Sequence, residues 1–356
     1  MKRSKLSRSE APLGRLLSFN PKFPSTRRQS TITSMLVSII VPAHNAEKTL
    51  PRAIDSFLSS AKLGRDEIIV VLDGEKQEAS VSLLQEYASK TPMVRYLYPN
   101  KRNGALGARM LGIQSAKGEY VGFLDADDYY APTAMDEFAA MAESSHADIL
   151  NYSFFTSTSK KDSKNLFTKS ERSLNKEEGF KAVLGDSFIR GFFWSKIISR
   201  RLLQMGLPGP MIGMDAMFED TLASAIYFAR AESSYYSPKP LYHYVKDETP
   251  TAVSRPRTNR AEYHLAAFAA IRLYLQNWTD GTLLPIFFKA KFRSRLSLLF
   301  DLSQDKKYGL DKESRAQRKK EFDAIFDKKA PLIIEGTSYQ SHVSTAYSYP
   351  AYGEKH

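Results

Sequence analysis

The stretch Tyr120-Val121-Gly122-Phe123-Leu124-Asp125-Ala126-Asp127-Asp128 decides how this chain reads. An apolar run with strand character stops abruptly in three carboxylates, Asp125, Asp127 and Asp128, where a buried strand would emerge from a sheet. With one residue between them, Asp125 and Asp127 point to opposite sides of a continuing strand. They converge on one ligand only if the chain turns there. Hard carboxylate oxygens suit Mg²⁺ or Mn²⁺, ions commonly held by one or two carboxylates plus the phosphates of a substrate. An Asp-x-Asp triplet by itself more often marks a solvated loop or a helix cap, so its surroundings have to carry the argument.

Upstream, Met35-Leu-Val-Ser-Ile-Ile-Val-Pro42 is a continuous β-branched run stopped by proline, as expected of a strand buried on both faces of a parallel sheet. A helix follows. Thr49 stands at its cap, Pro51 in its first turn, and Leu50, Ile54, Phe57 and Leu58 recur at helical spacing. Glu67-Ile-Ile-Val-Val-Leu-Asp-Gly74 repeats the strand-then-turn pattern and again ends in a carboxylate, Asp73. A second helix through Val81, Leu84 and Tyr87 leads to a short strand, Val94–Tyr98. Alternation of strand and helix over this length predicts βαβ units, an α/β fold and an open, mostly parallel sheet with helices on both faces. Ligands bind such sheets outside the carboxyl ends of the strands. Pro42–Glu47, Asp73 and Asp125–Asp128 all lie at those ends and are expected to face one crevice.

In these motifs the chain resembles the family 2 glycosyltransferases of bacterial polysaccharide synthesis, which have the GT-A fold. The matching text is Val37-Ser-Ile-Ile-Val-Pro-Ala-His-Asn45, Ile69-Val-Val-Leu-Asp-Gly74, Asn103-Gly104 with Ala108-Arg109 and Gly112, Ala116–Tyr120 running into Phe123–Asp128, then Phe193-Trp194-Ser-Lys196 and Glu219-Asp220. The resemblance covers residues 35–255. It implies that Pro42, Ala43, Asn45 and Glu47 hold the base and ribose of a nucleotide sugar, with Asp73 beside the base. It implies that Arg109 reaches the nucleotide or its diphosphate, that Asp125 and Ala126 lie on the ribose side, and that Asp127 ligates Mn²⁺ or Mg²⁺. Asp220, preceded by Glu219, would be the catalytic base, and Trp194 would lie on the acceptor side. Sugar transfer would then be one inverting displacement, with Asp220 taking the proton of the incoming hydroxyl and the metal, aided by Arg109, carrying the charge of the departing diphosphate.

Plainer readings stand beside these. Asn45 and Asp73 also serve to close turns after strands. Arg109 also suits a surface ion pair, Trp194 a core position, and Glu219-Asp220 the acidic start of the helix running through Leu222, Ile226 and Tyr227. Where family members often show two consecutive acids the chain has Leu72-Asp73. In Leu241-Tyr-His-Tyr-Val245 it has valine where an arginine is usual, and His243 between two tyrosines fits packing better than a late metal or phosphate contact.

Composition sets the outer limits. The 356 residues, 42% of them hydrophobic, suffice for a sizeable core, and there is no cysteine and hence no disulfide framework. No apolar stretch approaches the ~20 residues of a membrane-spanning helix. Residues 1–34 are basic and rich in Ser, Arg and Pro, and read as a disordered extension before a domain beginning at Met35. Within 35–255, the nucleotide-binding half is expected over 35–130 and the acceptor half over 131–255. A basic helical appendage is expected over 256–337 and a loose tail over 338–356.

The net charge is +12. Residues 283–302 mix Phe287, Phe288, Phe292, Leu296, Leu299 and Phe300 with Lys289, Lys291, Arg293 and Arg295. Such a helix either lies in the interface of an anionic membrane or packs its stripe on the catalytic domain. Membrane docking would suit a lipid-linked saccharide acceptor and a cytoplasmic protein working at the inner face of the cell membrane. A nucleic-acid partner is not expected, because no recognised binding motif accompanies the basic charge. A nucleotidyltransferase would require a Gly-rich basic phosphate loop near the first strand, which Pro42–Glu47 does not provide.

Overall fold

In the computed structural model, which describes residues 35–338 apart from 76, 100–103, 166–167, 186–188, 190, 208–218, 247–259 and 308, the first apolar run forms strand β1, Val37–Ala43. Residues 1–34, the tail beyond 338, Asn103 and the side chains of Phe292 and Arg293 lie outside the described residues. Strand β1 pairs in parallel with β2 (Asp66–Leu72) on one side and β4 (Tyr120–Phe123) on the other, placing Ile40 between Ile69 and Phe123. Strand β3 (Val94–Leu97) adds to β2, again in parallel. Alternate side chains leave by opposite faces, so both faces must be covered. Ile39, Val41, Ile68 and Val70 pack with Leu50, Ile54 and Phe57 of helix α1 (Leu50–Leu58), while Ile40, Ile69 and Val71 pack with Ala108 and Ile113 of α3 (Gly104–Ser115). Between them, α2 (Glu78–Lys90) buries Leu84. Thr49 occupies the cap position of α1, but its hydroxyl donates to the Ala46 carbonyl instead of capping the helix.

After β4 the chain turns, the Asp128 amide donating to the Asp125 carbonyl at 3.0 Å, and a two-residue strand β5 (Tyr129–Tyr130) leads to α4 (Ala134–Ser145). The second half contributes β6 (Ile149–Ser157), β7 (Asp162–Asn165), β8 (Arg172–Asn175), α5 (Lys176–Leu184), β9 (Lys196–Ser199), α6 (Arg200–Gln204), α7 (Glu219–Arg230) and β10 (Ser233–Val245). The sheet runs β3-β2-β1-β4-β9-β6-β10-β5, with β7 on β6 and β8 on β10. It is parallel through β3-β2-β1-β4. Antiparallel pairs enter at β9 and at the edges.

Helices α8 (Arg260–Trp278), α9 (Leu284–Lys289), α10 (Lys291–Lys307) and α11 (Lys312–Ile325) close the described chain. Leu265, Ile271 and Leu275 of α8, Phe287 of α9, Leu298 of α10 and Phe322 of α11 join the same apolar core as Ile40, Phe123 and Leu222. The helical region expected from 256 is thus continuous with one face of the sheet. Its apolar stripe divides: Phe287, Leu298 and Leu302 are buried, whereas Leu296, Leu299 and Phe300 are exposed.

Candidate active site

The carboxyl ends of β1, β2 and β4 meet the start of α7, and the sequence-singled residues gather there. Asp125 leaves β4 half-buried, its amide donating to the Tyr242 hydroxyl of β10 at 3.1 Å. Arg109 projects from α3 and is 6% exposed at its side chain. Its Nη2 donates to Asp125 Oδ1 at 2.8 Å, and its Nη1 lies 3.4 Å from Glu219 Oε1 and 3.6 Å from Asp220 Oδ1. The ring of Phe193 lies 5.5 Å from the guanidinium carbon. One buried cation therefore ties together acids from two distant parts of the chain. The sequence reading aimed Arg109 at the nucleotide or its diphosphate; in the structure its charge faces the acidic cluster. The Asp125 contact is a short charge-assisted pair and the other two are looser, and without the cation the three carboxylates would repel one another.

Asp220 sits in the first turn of α7, where the partial positive charge of a helix start favours an acid. Burial raises its pKa; Arg109 and Lys196 pull it back, and Asp125 pushes it further up. The nearby Phe193 amide also favours the ionised form, and the Asp220 Oδ1 is buried without a hydrogen bond. A carboxylate with a buried, unbonded oxygen and a raised proton affinity has the properties of a general base. Sequence reasoning passed over Lys196 as a working residue. It is fully buried at the start of β9, burial lowers its pKa to about 7 against the pull of Asp220, and its ammonium donates to the Phe192 carbonyl and to Ser195 Oγ at 3.3 Å.

Asp127 is exposed at the tip of the turn, its carbonyl accepting from Arg52 of α1, and Ala126 beside it is 9% exposed. Asp128, by contrast, is 1% exposed, accepting from the Tyr242 hydroxyl at 2.6 Å and the Val245 amide at 2.7 Å. Burial and the Asp125 charge push its pKa up to about 8. The three acids that read alike in sequence thus part: Asp125 on the guanidinium, Asp127 outward, Asp128 inward as the strut that pins the turn to β10.

At the other strand ends, Pro42 is half-buried and Ala43 buried; Asn45 and Glu47 are exposed. Asn45 has φ 51°, a left-handed conformation that asparagine tolerates, and its amide donates to Gln77 Oε1 at 3.2 Å. Asp73 is 5% exposed and its Oδ2 accepts from the Gly104 amide at 3.1 Å, so it caps the start of α3. His44, which the sequence did not single out, joins this floor through the Asp73 carbonyl and Gln77 Nε2 at 2.9 Å.

Trp194 lies in the core at 4% exposure, stacked on Phe192, Tyr242 and Tyr244 and edge-on to Phe154. His243 is packed between Tyr129 and Phe155 at 4.3 and 4.5 Å and hydrogen-bonds Ser157 Oγ at 2.9 Å, a structural setting.

The comparisons with known proteins converge on one family. Residues 38–204 match the family described as Glycosyl transferase family 2. This chain carries a family 2 glycosyltransferase domain. It is 29% identical over 245 residues to the putative glycosyltransferase EpsH of Bacillus subtilis strain 168, covering 67% of this chain and 69% of that protein. It is 29% identical over 116 residues to the poly(ribitol-phosphate) beta-glucosyltransferase of Bacillus spizizenii, covering 32% of this chain and 18% of that one. Among solved structures, S. aureus TarS 1-349 in complex with UDP-GlcNAc superposes with a TM-score of 0.64 over 84% of each chain at 17% identity. That likeness concerns the fold, and the architecture is the GT-A arrangement that the motifs implied. The protein is a glycosyltransferase.

Proposed function

We propose that this glycosyltransferase moves a sugar from a nucleotide-sugar donor to a hydroxyl of a saccharide or lipid-linked saccharide in cell-surface polysaccharide synthesis, with inversion and with the help of Mn²⁺ or Mg²⁺. The observation that carries the reading is the convergence of Asp125, Glu219 and Asp220 on Arg109 at the carboxyl ends of the parallel strands. A single displacement requires a base on the acceptor side, and Asp220 supplies it: buried enough to bind a proton well, yet kept ionisable by two neighbouring cations. Glu219 holds the second donor of Arg109 and so steadies the base. Pro42, Ala43, Asn45, Glu47 and Asp73 form the floor on which base and ribose would lie. Relatives support a nucleotide donor, since the TarS structures include complexes with UDP and with UDP-GlcNAc.

Among the described residues no group of three or more His, Cys, Asp or Glu side chains is placed to hold an ion. The residues present fit an ion that brings its other oxygens with it: Asp127, an exposed single carboxylate, would hold Mn²⁺ or Mg²⁺ together with the donor diphosphate. When bound, the ion would neutralise charge on the leaving diphosphate. For a lipid-linked acceptor, Leu296, Leu299 and Phe300, with Lys306 and Lys307 farther along α10, would meet an anionic membrane. Among the described residues no helix is long and apolar enough to cross one.

The test is a panel of nucleotide sugars screened by thermal stabilisation and nucleotide release with Mn²⁺. A ligand at ~100 times its Kd adds about 2.7 kcal/mol and is readily seen. Asp127→Asn should weaken nucleotide binding only when metal is present; equal nucleotide affinity of the parent with and without metal would remove Asp127 from this role.

A further inference from the structure

Phe192 precedes the short helical turn Phe193–Ser195 and is 41% exposed. Its ring lies parallel to Trp194, centroids 4.8 Å apart and planes 9° apart. Trp194 in turn stacks on Tyr242 at 4.6 Å and Tyr244 at 5.5 Å. One face of Phe192 rests on a rigid aromatic column and the ring remains open to solvent.

The backbone at this position is equally constrained. The Phe192 carbonyl accepts from Ser195 Oγ at 2.8 Å and from the Lys196 ammonium, and the Gly191 carbonyl accepts from Ser224 Oγ at 2.6 Å. A Cβ on Gly191 would come within 2.6 Å of Thr221 Oγ1 and 3.0 Å of Thr221 Cα, so the segment is pressed onto the first turn of α7, at the residue after Asp220. On the other side of Phe192, the Phe193 ring lies 5.5 Å from the guanidinium carbon of Arg109, whose Nη1 is 3.6 Å from Asp220 Oδ1. An exposed aromatic face, stacked from behind, therefore lies beside the helix start that carries the carboxylate that would deprotonate the acceptor.

We propose, resting on the glycosyl-transfer reading above, that Phe192 is the platform for the terminal ring of the acceptor, and that this acceptor ends in a cyclic sugar. The C–H groups on one face of a pyranose form a rigid apolar patch, which an aromatic face desolvates at little entropic cost because neither partner bends. Stacking there leaves a ring hydroxyl free to reach Asp220. An open-chain polyol phosphate, such as the name of the similar B. spizizenii protein describes, offers no such face. A sterol-like or acyl surface would be served as well by any apolar side chain, whereas a sugar ring calls for a flat one.

Trp194, directly beneath Phe192, reports on the site. The chain has two tryptophans, and replacing the other, Trp278→Phe, isolates the Trp194 emission. The probes are methyl β-D-glucopyranoside, methyl β-D-galactopyranoside, methyl N-acetyl-β-D-glucosaminide and ribitol 5-phosphate, titrated with UDP and Mn²⁺ present. At least one pyranoside should change Trp194 emission saturably, and ribitol 5-phosphate should not. Phe192→Ala and Phe192→Leu should weaken that pyranoside at least about fivefold, and Phe192→Tyr should restore it to within about twofold. UDP affinity by calorimetry should stay within about twofold throughout, which shows that the nucleotide site is intact. Tighter ribitol phosphate than any pyranoside, no pyranoside response, or parent-like binding in Phe192→Ala or Phe192→Leu overturns the platform. The underlying reading fails separately, by the parent releasing no nucleotide from any nucleotide sugar.

Discussion

Asp220, the proposed base, shows how burial and charge together set the proton affinity of a carboxylate. Its pKa is raised by burial, with Arg109 and Lys196 favouring the ionised form. A base must be ionised to accept a proton, so turnover should be present above this raised pKa and lost as pH falls through it, above the ordinary carboxylate range. Arg109→Met removes a cation that favours ionisation, and the acid limb of the kcat profile should move to higher pH; an unmoved limb would show that the profile belongs to another group. The same shift has a stability consequence of the opposite kind. The folded protein binds the Asp220 proton more tightly than the unfolded chain does, so this residue's contribution falls as pH rises from its unfolded to its folded pKa. Asp220→Asn, neutral throughout, should therefore melt no lower than the parent at neutral pH, as residues kept for chemistry often do. Strand ends in a parallel sheet converge, and that pointed to Asp73 and Asp125, whereas Arg109, Glu219 and Asp220, which lie on helices, came only through the family resemblance. The sequence did not disclose that Asp125, Asp127 and Asp128 diverge, since their roles depend on Arg109 and on Tyr242, 16 and 114 positions from their partners.

At the level of elements, the first four parallel strands were readable because burial on both faces writes near-continuous apolar runs into the sequence, as in Ile39–Val41 and Ile68–Leu72. The second half was less so. Strand β10 contains Pro238 and Pro240, residues that ordinarily argue against a strand, and the structure absorbs them with register shifts against β6 between Ser237 and Tyr242. Packing of α3 on β1 is tight enough to test. A Cβ on Gly112 would approach Ile40 Cγ2 to 2.5 Å, so Gly112→Ala should lower stability by about 1–3 kcal/mol in denaturant unfolding despite the better helix propensity of alanine. The turn after β4 offers a second test. Asp128→Ala leaves the buried Tyr242 hydroxyl and Val245 amide without their acceptor, a loss of roughly 1–3 kcal/mol for each unsatisfied group, whereas Asp128→Asn keeps an oxygen in place and should be milder. Equal melting temperatures for the Ala and Asn variants would remove Asp128 from its part as a strut.

For the molecule as a whole, the C-terminal helices complete the core, a fact hidden in the sequence because α8 carries apolar residues on nearly every side. Leu265, Ile271, Tyr274 and Leu275 are each at most 4% exposed. Burying each is worth about 1.5–3 kcal/mol, a sum comparable with the ~5–15 kcal/mol that holds a typical domain together. A chain ended after Lys246 should accordingly show no cooperative thermal transition, and one that melts like the full chain would prove the catalytic half independent. What that intact frame accomplishes is the central claim: it holds Asp220 beside Arg109 so that one carboxylate removes the acceptor proton during sugar transfer. The direct measurement is the transfer rate of Asp220→Asn at saturating donor, taken beside donor affinity by calorimetry. The account predicts transfer reduced by about 10²–10⁴-fold with donor affinity within about twofold of the parent and Glu219→Gln milder. An Asp220→Asn protein that transfers at the parent rate, or whose loss follows weakened donor binding, would contradict it.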